Sequence, residues 1–339
     1  MTRRFSLFAL VALILARGFL TPCTVLLAPC SSAWAQQPKK IPRIGFLFIG
    51  STDQPHLDSF RQGLRDLGYV EGKNIVIEYR YAESKLDALP ALAAELVGLH
   101  VDVILTTTLR ASHVVLETTR TIPIIGVGLG DFVDGGLVKS LARPGGNLTG
   151  LSNSAGPGMR GKQLELLKEA APKTNAVAML WNIDAGRLAS AAIEETKTVA
   201  KALAIQLRTY EMKSAGDIEH AFEDTKKFHI NGLLITGGPV TTKNSTRITE
   251  LAGKLRLPAM YNTRQFVEDG GLMAYGVNFS EIYRRAATYV DKILKGAKPA
   301  ELPVEQPKKF EFIVNLNAAK QIGLTIPPNV LARADKVIR

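Results

Sequence analysis

VDVILTTT (101–108) and TIPIIGVG (121–128), two short apolar runs separated by a charged helical stretch, are echoed later by NGLLITGG (231–238) and RLPAMYNT (256–263). A brief continuous apolar run bounded by turn residues reads as a strand covered on both faces, the condition of a parallel sheet. Each set then ends alike, with Gly145-Gly146 leading into NLTGL and Gly270-Gly271 leading into LMAYG. Any α/β protein repeats apolar strands, which is the plain alternative. Shared detail beyond the strands points instead to a duplicated lobe.

Outward from these segments the same alternation continues. Ile44 to Ile49 is another continuous strand, and Leu57, Phe60, Leu64 and Leu67 mark one helix face that Gly68 ends. Ile75 to Tyr81 reads as a strand, followed by a helix face of Leu86, Leu89, Leu92 and Leu96. With Val103 to Leu105, Ile124 to Val127 and Leu148 to Leu151, the first set has five strands. A second set of five comprises Ala176 to Leu180, Ile205 to Tyr210, Leu233 to Ile235, Ala259 to Tyr261 and Leu272 to Tyr275. The expected fold class is therefore α/β: two similar doubly wound parallel-sheet lobes joined by a hinge. Helices Met159 to Ala170 and Glu281 to Leu294 are expected to link the lobes, and the segment after them to return to lobe one. In numbers, lobe one is expected over 36–152, lobe two over 153–280, and the crossover helix with its return over 281–339.

The N-terminus reads as an export signal. Arg3 and Arg4 precede twelve apolar or small residues, Phe5 to Ala16, which Arg17 interrupts. That run is shorter than the ~20 residues a membrane-spanning helix needs. Ala33-Trp34-Ala35 supplies a small-residue cleavage pattern, so residues 1–35 are expected to be removed after Ala35 and the protein to be periplasmic. An uncleaved anchor and a form lipidated at Cys23 or Cys30 are the competing readings; proline before each cysteine counts against lipidation. Both cysteines lie in this segment, so the remainder has no disulfide, thiolate nucleophile or cysteine metal site. The formal charge of +11 falls to +8 without Arg3, Arg4 and Arg17. No dense Lys/Arg run or aromatic-interleaved basic stripe accompanies it, so the charge reads as a solvated surface and not as a nucleic-acid interface.

In open parallel sheets, ligands sit outside the carboxyl ends of the strands. That rule selects Ser51, Thr52, Asp53, Thr106, Thr107, Thr108, Gly130 and Asp131 in lobe one. In lobe two it selects Trp181, Asn182, Asp184, Thr236, Gly237, Asn262, Thr263, Tyr275 and Asn278. Hydroxyls, amides, glycines and single aromatics hydrogen-bond a small polar solute and stack on its apolar part. The same residues are ordinary turn formers after strands, so the reading depends on their convergence in one cleft. Enzyme signatures are missing. GVGLGD (126–131) lacks the GxGxxG spacing, and there is no GxxxxGK[ST], HExxH or GxSxG. The five histidines show no metal-ligand spacing, although His56 lies beside the first cleft loop. No catalytic residue, metal or cofactor is expected; the enzyme alternative is a hydrolase or isomerase using Asp53 or Asp131.

Several long segments resemble the bacterial ABC-transporter substrate-binding proteins, in the group that includes tryptophan-binding members. They are FRQGLRDLGYVEGKNIVIEYRYAE (60–83), LPALAAELV (89–97), GLVKSLARPGGNLTGLS (136–152), KQLELLKEAAP (162–172), GGLMAYG (270–276) and ILKGAKPAELPVEQPKKFEFIVNLNAAKQIGLTIPP (293–328). The resemblance implies a type I periplasmic-binding fold, a mobile hinge, a small-molecule solute and delivery to a membrane permease; the mature chain is expected to be a monomer. A sensory receptor with the same clamp is the other non-enzymatic possibility. Two departures fall in the expected pocket: GSTDQPHLDSF (50–60) lacks a fuller acidic-His-Pro arrangement, and Asp131-Phe132 stands where the family usually has Asp-Pro. Amino-acid specificity is therefore not carried over from the resemblance.

Overall fold

The computed structural model describes residues 40–339 except 51–55, 84, 155, 157 and 182–185; for 186–191 and 239 the backbone alone is described. Lobe one alternates β1 (Arg43–Phe48), α1 (Leu57–Asp66), β2 (Val76–Tyr81), α2 (Leu89–Gly98), β3 (Val103–Thr106), α3 (Leu109–Thr118), β4 (Ile124–Leu129) and β5 (Leu148–Ser152). Its five strands are parallel in the order β2-β1-β3-β4-β5. Every residue of β3, β4 and β5 is buried, which is why those segments read as unbroken apolar runs.

Lobe two begins with α4 (Met159–Ala170), β6 (Ala176–Trp181), α5 (Gly186–Ala202), β7 (Gln206–Glu211), α6 (Ala215–Lys227) and β8 (Gly232–Ile235). It continues through α7 (Pro239–Lys243), α8 (Ser245–Lys254), β9 (Ala259–Tyr261), α9 (Arg264–Glu268) and β10 (Met273–Val277). The chain then enters α10 (Phe279–Leu294), β11 (Phe310–Asn315), α11 (Leu316–Gln321), α12 (Pro328–Leu331) and β12 (Lys336–Ile338). The second sheet has seven strands and not five, in the order β12-β11-β10-β9-β8-β6-β7. β11 runs antiparallel to β10, with Ala274 opposite Ile313, and β12 adds beside β11.

This corrects the expected return to lobe one. Only the stretch through Glu305 lies there: Thr149 Oγ1 donates to the Leu302 carbonyl at 2.7 Å, and Ser152 N–H donates to the Glu305 carbonyl at 2.8 Å. From Phe310 onward the chain completes lobe two. The reason is apolar burial: Phe312 and Val314 join Met260, Met273, Leu164 and Leu167 in one core cluster, and Ala318, Ile326 and Val330 extend it.

The two linking helices each pack on the lobe they enter. α4 leaves the end of β5 and puts Leu164, Leu167 and Ala170 against Val177, Met179 and Leu234. α10 leaves the end of β10 and puts Ile282, Ala286, Val290 and Ile293 against Phe46, Phe60 and Leu64 of lobe one. Its inward stripe follows the three-and-four spacing, and Asn278 caps its start by accepting the Glu281 N–H at 3.0 Å. Leu67, expected on the inner face of α1, is 39% exposed because the helix has already ended at Asp66. No described helix is long and apolar enough to cross a membrane.

α1 and α10 approach at Gly63. A Cβ there would stand 2.5 Å from the Arg284 carbonyl oxygen and 2.9 Å from Ala287 Cβ, so neither helix has room for it. Gly63→Ala is expected to lower stability by about 1–3 kcal/mol, the usual cost of overpacking. Gly98→Ala, whose Cβ would meet nothing within 4 Å, is the control and is expected to be neutral or mildly stabilising. Urea midpoints of the two variants check this; equal midpoints would contradict the close approach.

Candidate functional site

The crossings fix which ends of the sheets face each other. Lobe one is left at the carboxyl end of β5, and lobe two at the carboxyl end of β10. A third crossing returns between Glu305 and Phe310, where Asn278 N–H donates to the Lys309 carbonyl at 3.5 Å. The carboxyl ends of both parallel sheets therefore converge on the junction between lobes, where helix N-termini and loop amides collect.

Of the expected contacts, Ser51, Thr52, Asp53, Asn182 and Asp184 lie outside the described residues. In lobe one, most remaining polar groups are already engaged. Thr106 departs from expectation: it is fully buried, and its hydroxyl shares a 2.7 Å hydrogen bond with Ser112 Oγ. Thr108 caps α3, its Oγ1 accepting from Ala111 N–H at 3.2 Å, while Ser112 Oγ donates to its carbonyl. Asp131 Oδ1 accepts from Val133 and Asp134 N–H at 2.8 and 2.9 Å, so this oxygen organises its own turn. The Gly130 carbonyl accepts from Ser152 Oγ at 2.8 Å. Thr107 is half-buried beside them.

Lobe two retains more unspent chemistry. Trp181, at the end of β6, is partly exposed and packs at the edge of the core. Asn262 Oδ1 and Thr263 Oγ1 are buried without a hydrogen-bond partner. Gly237 makes space for that amide: with φ +78° its missing Cβ would lie 2.2 Å from Asn262 Nδ2. Thr236 Oγ1 donates to the Leu180 carbonyl at 3.2 Å, and Tyr275 leans on Phe310 with ring centroids 6.1 Å apart. Asn278 Nδ2 reaches Glu311 Oε2 at 3.4 Å, the carboxylate that Arg264 also grips through Nε and Nη2.

Two titratable side chains complete the junction. Arg160, in the first turn of α4, donates from Nη2 to the Thr236 carbonyl at 3.1 Å and from Nη1 to Gln163 Oε1 at 3.0 Å. Gln163 is fully buried and donates in turn to the Tyr275 carbonyl. Burial pushes Arg160 down to about 10, with the Glu195 carboxylate opposing; it remains a cation at neutral pH. Both residues escaped the sequence reading because α4 was read only for its apolar face. The available signal was a lone arginine directly after the glycine-rich crossing. His56 stacks on Phe279 at 5.6 Å and approaches Ser280 Oγ at 3.4 Å, tying α1 to the start of α10.

Residues 51–338 match the family model for ABC transporter substrate binding proteins. The chain belongs to that family. A tyrosine-binding protein of Clostridioides difficile (strain R20291) is 23% identical over 282 residues, covering 80% of this chain and 79% of that protein. A conserved domain protein from Vibrio cholerae is 28% identical with TM-score 0.76, covering 88% of this chain and 100% of that structure. A Streptococcus pneumoniae protein solved with L-Trp is 23% identical with TM-score 0.75, covering 88% and 99%. The expected type I periplasmic-binding architecture is thus found, with the strand at Phe310–Asn315 and the tail redistributed to lobe two.

Within this family member, His56 offers a pH readout of the junction. Burial holds its imidazole below the usual value, Glu311 opposes that shift, and Arg264 adds to it. The unfolded chain therefore takes up the proton first, so stability falls as pH drops through about 6.5 and levels off once folded His56 also titrates. Urea midpoints at about pH 7.5 and pH 5.5 are expected to differ more for wild type than for His56→Asn. Equal slopes would show that His56 carries no such linkage.

Proposed function

We propose that the chain is the extracytoplasmic solute-binding component of an ABC importer. It takes a small polar or aromatic organic solute between its lobes and delivers it to a membrane permease without chemical turnover. The observation that carries this reading is the convergence of both sets of strand ends on a junction crossed by three segments, in a chain of this family. Such crossings act as a hinge, and a solute that contacts both lobes in the closed state favours that state by its differential affinity. Export through the N-terminal signal, release after Ala35 and a monomeric mature chain complete the proposal. Of the named relatives, one is a tyrosine-binding protein and another was solved with L-Trp, so aromatic amino acids and related acids are the first solutes to test. Micromolar affinity requires about −8 kcal/mol, within reach of several directed hydrogen bonds and one stacked ring.

Trp181 reports on this directly. The other tryptophan, Trp34, lies in the segment expected to be removed. A true ligand at ~100 times its Kd is expected to add about 2.7 kcal/mol of stability and to change Trp181 emission. Thermal shift, fluorescence and recovery of unaltered solute test the three parts. Stabilisation with unchanged emission removes Trp181 from the site, and recovery of a converted solute overturns the non-enzymatic reading.

A further inference from the structure

We infer that Arg160 is the carboxylate anchor of lobe two, making an acidic group on the solute the first requirement for recognition. The inference rests on the solute-binding reading above and names the solute class: small organic carboxylates.

The Arg160 guanidinium makes two hydrogen bonds. Its neighbours at hydrogen-bond distance, the Thr236 carbonyl and Gln163 Oε1, are neutral acceptors. Neither bond neutralises the charge. The Glu195 carboxylate acts on it electrostatically without forming an ion pair within 4 Å, and its Oε1 accepts from Gly158 N–H at 2.9 Å and Gly161 N–H at 3.4 Å. A desolvated cation is unfavourable unless it is paired and hydrogen-bonded, and among the described residues Arg160 forms no ion pair, so an anion from the solute would be favoured there. A guanidinium carries five N–H donors in a planar fork, so donors remain after these two bonds. The side chain also keeps a partial opening to solvent.

Position supplies the second half. Thr236 follows β8, and in the sheet register Ile235 pairs with Tyr261, which places Thr236 level with Asn262. Arg160 is thus bonded to the row of strand ends that includes Asn262, whose Oδ1 is buried and unpartnered. An unpartnered acceptor in the same row as a cation that forms no ion pair among the described residues suits a solute carrying both an acid and a hydrogen-bond donor. The carboxylate goes to the Arg160 fork, and the donor to Asn262 Oδ1.

The test compares acids with their amides by titration calorimetry: L-tyrosine against L-tyrosinamide, and 4-hydroxyphenylacetate against 4-hydroxyphenylacetamide. The purified wild-type chain, Arg160→Gln and Arg160→Lys are each titrated. In wild type the acid of a pair is expected to bind at least about 30-fold tighter than its amide, because an amide leaves the remaining Arg160 donors without an anionic acceptor. Arg160→Gln is expected to shrink that preference to about threefold or less, with Arg160→Lys intermediate because it keeps the charge and loses the fork. Without solute, Arg160→Gln is expected to melt at or above the wild-type temperature. Acids and amides that bind wild type equally, or an Arg160→Gln variant that weakens both members equally and melts lower, would make Arg160 a structural bridge and overturn the inference. If no compound of the panel binds wild type, the aromatic-acid reading and this inference fall together. Binding without acid preference removes the inference alone.

Discussion

The fold depends on α10, a helix that leaves the second sheet and is buried in the first lobe. Its Ile282, Ala286, Val290 and Ile293 complete the core formed by Phe46, Phe60 and Leu64, so lobe one has no finished hydrophobic interior without a helix contributed from beyond lobe two. Polar contacts hold it in register: Tyr69 Oη donates to Asp291 Oδ1 at 3.0 Å, and Arg285 grips both oxygens of Glu305 at 2.9 and 2.8 Å. Arg285 also holds the Glu305 carboxyl below the usual range, and Glu305 is itself the residue that bridges to Leu151. The helix and the returning strand are therefore fastened together on the lobe-one side of the junction. On the proposed hinge reading, relative motion of two lobes that exchange helices would be confined to the short crossing segments.

That exchange also explains how far the sequence could be read. Strands such as Ile124–Leu129 and helix faces such as Leu57, Phe60 and Leu64 follow from local periodicity, because burial on both faces or on one stripe is written in consecutive residues. The partner of Phe310–Asn315 is a different matter. Its apolar pattern identifies a strand but not a sheet, and the choice between lobes is made by Phe312 and Val314 packing with Met260 and Met273 far away in sequence. Within the site, the strand-end rule finds positions but not availability. Thr106 and Asn262 look alike as turn residues, yet one hydroxyl is paired with Ser112 and the other side chain keeps a buried, unpartnered carbonyl. Hydrogen-bond satisfaction is a property of tertiary neighbours, and neither periodicity nor spacing carries it.

The described parts of the two lobes therefore bring different chemistry to one junction. Lobe one presents Thr108, Gly130 and Asp131 with a helix cap, a carbonyl and a turn already formed, which favours a rigid, pre-shaped surface. Lobe two presents a guanidinium that forms no ion pair among the described residues, an unpartnered amide oxygen and a partly exposed indole. Rigid polar surfaces position a solute at little entropic cost, whereas unsatisfied groups supply the free-energy difference between empty and filled states. On the proposed reading, selectivity resides mainly in lobe two.

One consequence joins the site to the crossings. Arg160 lies in the first turn of α4, immediately after the segment that carries the chain out of β5, and the amides of Gly158 and Gly161 in the same turn are held by Glu195. An anion placed on Arg160 weakens the pull between Arg160 and Glu195 while leaving the carboxylate on its amides. At the other end of the junction, Asn278 both caps α10 and touches Glu311, so the second crossing is anchored to a lobe-two ion pair. A solute bound at lobe two would thus act on the first turns of both exchanged helices. On the proposed reading, coupling between filling the cleft and changing the angle of the lobes would need no longer pathway than those two turns.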